Sequence, residues 1–71
     1  MCLRANGKLI KERRRALGMT QMQLAVALDM GSVAMLSSWE RGAQSISTPN
    51  LLKLSKTLGV SMEDLLVEKE D

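Results

Sequence analysis

The sequence contains no histidine, no phenylalanine and no tyrosine, and only one tryptophan, one proline and one cysteine. Each absence removes a class of protein. Cys2 is the sole thiol, so no intrachain disulfide can form, and without histidine the usual zinc-ligand spacings are missing. The expected setting is therefore reducing and cytoplasmic. No apolar run approaches the roughly 20 residues of a membrane span, and the stretch Met1–Lys8 lacks the apolar core of a signal peptide. A membrane partner is not expected. There is no histidine, no pair of carboxylates in one apolar cleft, no activated nucleophile and no glycine-rich phosphate loop. Enzymatic chemistry is not expected, and neither a metal nor a cofactor is implied. No useful length alternates with period two, so a sheet is not expected either. The core must come from Leu, Ile, Val, Met, Ala and Trp39.

What remains is a helical chain with its charge separated. Its 71 residues suit one domain, near the lower size that folds without staples. Residues 1–17 carry Arg4, Lys8, Lys11, Arg13, Arg14 and Arg15 against Glu12 alone, a net +5. Residues 60–71 carry Glu63, Asp64, Glu68, Glu70 and Asp71 against Lys69, a net −4. A basic end suggests a surface for a polyanion. A solvated helix face would give the same pattern, so charge alone does not decide. Six methionines in so short a chain read first as core gap-fillers and second as a partner groove.

Five helical segments follow from periodicity and punctuation. Leu9, Ile10, Arg13 and Leu17 keep a 3.6-residue period that Gly18 closes. Thr20 is an N-cap for Gln21 to Leu28, with Leu24, Ala25 and Leu28 as the apolar stripe. Asp29–Ser32 is turn chemistry, and a third helix runs from about Val33 to Glu40 before Gly42. A loop covers Ala43–Ser47. Thr48 and Pro49 open a fourth helix bearing Leu51, Leu52, Leu54 and Leu58, which Gly59 ends. Ser61-Met62-Glu63-Asp64 reads as a capping box for a short fifth helix with Leu65 and Leu66, followed by a polar tail over 67–71 that frays from Glu68.

Helices two and three, over residues 20–40, are the informative pair. The small Ala25 lets a following helix cross closely, and Leu28, Met30, Leu36 and Trp39 can meet beneath that crossing. Two short helices joined by a tight turn form a DNA-reading motif, the second helix lying in the major groove. The segments Gly18-Met19-Thr20-Gln21, Leu24-Ala25, Trp39-Glu40-Arg41-Gly42 and Leu51 to Ser61 together resemble the lambda-repressor-like (XRE/Cro-type) helix-turn-helix family. The resemblance runs from about Gly7 to Leu66. Each motif is short, and their order along nearly the whole chain gives them weight. Ile46-Ser47 and Asn50-Leu51 are also similar to restriction–modification controller proteins, and Cro-type phage repressors are close in size. The implied fold is all-α, a five-helix lambda-repressor-like domain over residues 1–71.

The resemblance implies a set of roles. Thr20 and Gln21 would bond a phosphate at the start of helix two. Arg41, with Gln44 beside it, would reach the DNA backbone from the loop. Arg14 would pair with Glu40 as scaffold or contact a phosphate; both roles stay open here. Lys8, Lys11 and Arg13 add non-specific attraction or are simply solvated. The base-reading positions would be Ser32, Val33, Ala34, Ser37 and Ser38.

Two departures stand out. Between Ala25 and Trp39 there is one residue more than the family spacing, placed by preference in the turn at Asp29–Ser32. More consequentially, no base-reading position is Arg, Lys, Asn or Gln, the residues that make bidentate contacts to base edges. Hydroxyls read bases weakly, and Val33 or Ala34 can touch a thymine methyl, so DNA shape must contribute. The expected function is a DNA-binding, repressor-like transcriptional regulator on double-stranded DNA, acting as a homodimer because one such domain spans one half-site. Ile46, Val60, Met62 and Leu66 are the candidate dimer residues, and no small-molecule ligand is implied. The competing expectation is a protein-interaction module on the same fold, antitoxin-like or a regulatory subunit, since function lives in the site rather than the fold.

Overall fold

The computed structural model describes residues 2–43 and 45–69, and three of its helices begin where the sequence offers a side-chain oxygen as a cap. In chain order the elements are β1 (Cys2–Ala5), α1 (Gly7–Ala16), α2 (Gln21–Ala27), α3 (Val33–Glu40), α4 (Thr48–Leu58), a 3-10 turn (Glu63–Leu65) and β2 (Leu66–Lys69). Asn6 Oδ1 accepts the Leu9 N–H at 3.3 Å to open α1. Thr20 and Gln23 form a reciprocal capping box at 3.1 and 2.8 Å to open α2. Ser32 Oγ accepts the Ala34 N–H at 3.1 Å to open α3. For α4 the cap position is Ser47, one residue earlier than expected; its hydroxyl accepts from the Asn50 amide rather than from the backbone.

Trp39 is the centre of the core, 1% exposed, among Ile10, Leu24, Leu28, Leu36, Leu54, Leu58 and Leu65, all equally enclosed. Ala25 is buried, as a close crossing of α2 and α3 requires. An even tighter approach lies elsewhere. A Cβ added to Gly7 would overlap the Glu40 carbonyl and come within 2.5 Å of the Trp39 oxygen. The start of α1 therefore rests directly on the backbone at the end of α3, and only glycine permits that contact. At the other end of α1, Gly18 takes φ +72°, which lets the chain leave in the left-handed region.

The expectation of a fifth helix without sheet needs correction. Ser61 Oγ does accept the Asp64 N–H at 3.2 Å, but the structure after it is one 3-10 turn followed by a strand. β1 and β2 pair antiparallel, Ala5 opposite Leu66 and Arg4 opposite Val67. The reason is competition for carbonyls. Asn6 donates its amide to the Asp64 oxygen at 2.9 Å and its backbone N–H to the Leu65 oxygen at 2.8 Å. Those oxygens are then engaged from outside the turn, and one turn alone has too few bonds to nucleate a helix. Glu68 and Lys69, expected to fray, lie in β2.

The methionines divide. Met19, Met30 and Met62 pack against the core, whereas Met22 and Met35 are exposed. Leu17 and Leu52 also face outward. Of the residues expected at a dimer surface, Ile46 is buried and Val60, Met62 and Leu66 pack against the core. Among the described residues no helix is long and apolar enough to cross a membrane.

Candidate nucleic-acid interface

The turn between α2 and α3 sets how the second helix is presented. Asp29 adopts φ +56°, a left-handed conformation that aspartate tolerates better than most side chains. The Met30 N–H reaches back to the Ala25 oxygen at 2.9 Å. From Val33 to Glu40 the helix is unbroken, so the residue in excess of the family spacing sits in the turn. Leu36 and Trp39 face inward together. Away from that pair α3 carries Ala34, exposed, with Ser37 and Ser38 half-buried, while Met35, one turn before Trp39, is exposed at the flank of the inward side.

Behind this face lies a polar cluster that joins three helices. Arg14 Nε donates to Glu40 Oε2 at 2.8 Å and Arg14 Nη2 to Glu40 Oε1 at 3.1 Å, while Nη1 donates to the Met19 oxygen at 2.8 Å. The Gln21 amide donates to Glu40 Oε1 at 3.3 Å. Arg14 is only 8% exposed, so every nitrogen of its guanidinium is engaged inside the protein. Of the two roles left open for Arg14, the geometry gives it the scaffold one. The cluster fixes the end of α3 against α1 and the start of α2, and it balances the carboxylate at the foot of the outward face.

The other expected site residues fall as follows. Thr20 is exposed, and its hydroxyl accepts a hydrogen bond while its proton stays available to a ligand. Gln21 is half-buried and oriented by Glu40. Ser32 is exposed with its oxygen in the cap, and Val33 packs partly on the core. Arg41 is exposed and lies along the last turn of α3, Nη2 at 3.5 Å from Ser38 Oγ. Gln44 lies outside the described residues. Arg13 is engaged within the protein: its Nε and Nη2 donate to the Leu58 oxygen at 3.2 and 3.1 Å, at the C-terminal end of α4. Lys8, Lys11 and Arg15 are exposed on α1. Met35, the bulkiest exposed side chain of α3, was not among the expected site residues. No local signal marks a methionine as outward-facing, because its type is equally at home in a core.

Comparison with known proteins agrees with this fold. Residues 10–65 match the helix-turn-helix family. The chain is 42% identical over 65 residues to the HTH-type transcriptional regulator DicA of Escherichia coli (strain K12), covering 92% of this chain and 47% of that protein. It is 41% identical over 64 residues to the HTH-type transcriptional regulator ImmR of Bacillus subtilis (strain 168), covering 90% of this chain and 50% of ImmR. The chain thus spans about half the length of these curated relatives. Its fold is similar to the P22 c2 repressor, solved in complex with a synthetic operator, with a TM-score of 0.77 at 36% identity over 83% of this chain and 88% of that one. The chain belongs to the helix-turn-helix family, in its lambda-repressor-like (XRE/Cro-type) branch.

Proposed function

We propose that this chain is a DNA-binding transcriptional regulator of the repressor type, acting in the cytoplasm by binding rather than by catalysis. The observation that carries the reading is the outward face of α3, free of charge and held rigidly by the Arg14–Glu40–Gln21 cluster, with the exposed Arg41 guanidinium at its end. A helix presented in this way fits the major groove. Thr20, Gln21 and Arg41 then meet the sugar–phosphate backbone, Gln44 beside them, and Ser32, Val33, Ala34, Ser37 and Ser38 face base edges. The domain spans the whole of residues 1–71 in this reading and binds as a homodimer, each copy on one half-site. The relatives' names and the operator-bound repressor support it.

A second reading rests on α2. Its outward residues Met22 and Val26 are 66% and 72% exposed, and no charge lies between Gly18 and Leu28. Such a face suits a protein partner. Selection of bound sequences from a random DNA pool, with retention followed against salt, separates the two. Enrichment of a motif with salt-sensitive retention supports the regulator. No retention at low salt transfers the function to the α2 face.

A further inference from the structure

The outward side of α3 offers no long hydrogen-bonding side chain, yet it is not featureless. Met35 is 46% exposed and follows Ser32 by one helical turn, so the two lie on the same side of the helix. A shallow groove runs beside it, lined by Asp29, Met30, Gly31, Ser32, Met35 and Asn50. The groove therefore continues the expected base-reading surface from the turn across to the first turn of α4. Its chemistry is selective. The lining includes Met30 and Met35, two thioether residues, and no Lys or Arg, a composition that suits an uncharged apolar group.

We propose that Met35 is a specificity-determining residue that packs its thioether against the C5-methyl group of thymine in the major groove. This rests on the DNA-binding reading above and extends it to a class of sequence. Of the four bases only thymine presents an apolar group in that groove. The unbranched, polarisable methionine side chain can follow such a group without a fixed hydrogen-bond geometry. Ser32 Oγ accepts the Ala34 N–H in the cap and has no apolar group to offer, Val33 is partly packed on the core, and Met35 reaches farther than the single methyl of Ala34. The chain then prefers sites that place thymine at a defined step of each half-site.

The test replaces thymine by uracil, which removes the methyl and leaves every hydrogen-bonding group unchanged. A site selected from a random pool is substituted one position at a time, and Kd is measured at fixed salt for the wild type, Met35→Ala and Met35→Leu. At one or two positions per half-site, uracil should weaken the wild type by about fourfold, the equivalent of one buried methyl. Met35→Ala should lose about the same factor on thymine DNA and be indifferent to uracil at those positions, while Met35→Leu keeps the sensitivity. Because Met35 is exposed, neither variant threatens the fold. Indifference of the wild type to uracil everywhere, or an undiminished uracil penalty in Met35→Ala, overturns the assignment and leaves DNA binding standing. No binding to any DNA at low salt overturns both.

Discussion

Both carboxylate oxygens of Glu40 are gripped by the Arg14 guanidinium, at 2.8 and 3.1 Å, and the side chains are 4% and 10% exposed. A pair this enclosed matters most when it is broken on one side. Glu40→Gln should cost about 3 kcal/mol, because it strands a buried guanidinium, whereas Arg14→Met with Glu40→Gln should cost less than that single change. Urea unfolding of the four proteins in a double-mutant cycle measures it. Additive effects would reject the coupling.

Trp39 is the one fluorophore and sits at the meeting of α1, α2 and α3. Its emission should be blue-shifted in the folded protein and move to the water-exposed position on unfolding. Trp39→Ala should cost about 3–5 kcal/mol, a large part of the stability of so small a domain. Native emission already at the exposed wavelength would mean that the helices cross in another register.

Gly7 meets the carbonyls of Trp39 and Glu40 through backbone alone. In most helix positions Gly→Ala stabilises; here Gly7→Ala must separate α1 from α3 and should destabilise by roughly 3 kcal/mol. Gly31, with open space around it and no positive φ, is the control and should tolerate alanine. Thermal unfolding of the two variants decides between them.

Asn6 serves two elements at once, capping α1 with its oxygen and holding the Asp64 carbonyl with its nitrogen. Asn6→Ala should cost about 1–2 kcal/mol. The loss should fall unevenly: amide exchange should accelerate in β2 while α3 stays protected. Uniform acceleration would show that the strands open only with the whole fold.

Arg41 and Ser38 lie side by side but should answer differently on DNA. Arg41→Ala should weaken binding alike on selected and scrambled sites and lower the magnitude of the salt slope by about one. Ser38→Ala should shift base preference modestly and leave the slope unchanged. Affinity against salt for both variants checks this, and a sequence-dependent loss in Arg41→Ala would assign Arg41 to the bases instead.

The helices were legible because their signals are local. Thr20 before α2 and the spacing of Leu24, Leu28, Leu36 and Trp39 lie within a few residues of what they specify, whereas the Gln23 half of the capping box and the Ser32 cap emerge only in the structure. The sheet was not, since β1 and β2 are four residues each and join positions about sixty apart; no alternation can be read in pieces that short. The capping signal at Ser61 was real but was outcompeted by Asn6. Within the interface, the Arg14–Glu40 pair was foreseen from family resemblance, whereas the inward turn of Arg13 and the outward turn of Met35 depend on where α4 and the α2–α3 turn come to rest. Side-chain type alone does not encode that.

The pairing of β1 with β2 also governs how the domain responds to mechanical load. Cys2 lies opposite Lys69, and the strands run in opposite directions from that point. Tension applied across the two ends therefore pulls the strands apart one rung at a time, as a zipper opens, instead of shearing all the rungs together. The sheet yields first and at low force, up to the Asn6 clamp. The strand ladder ends at Ala5 and Leu66, so α3 and the proposed DNA-binding surface lie beyond the part of the fold that such a tug reaches first.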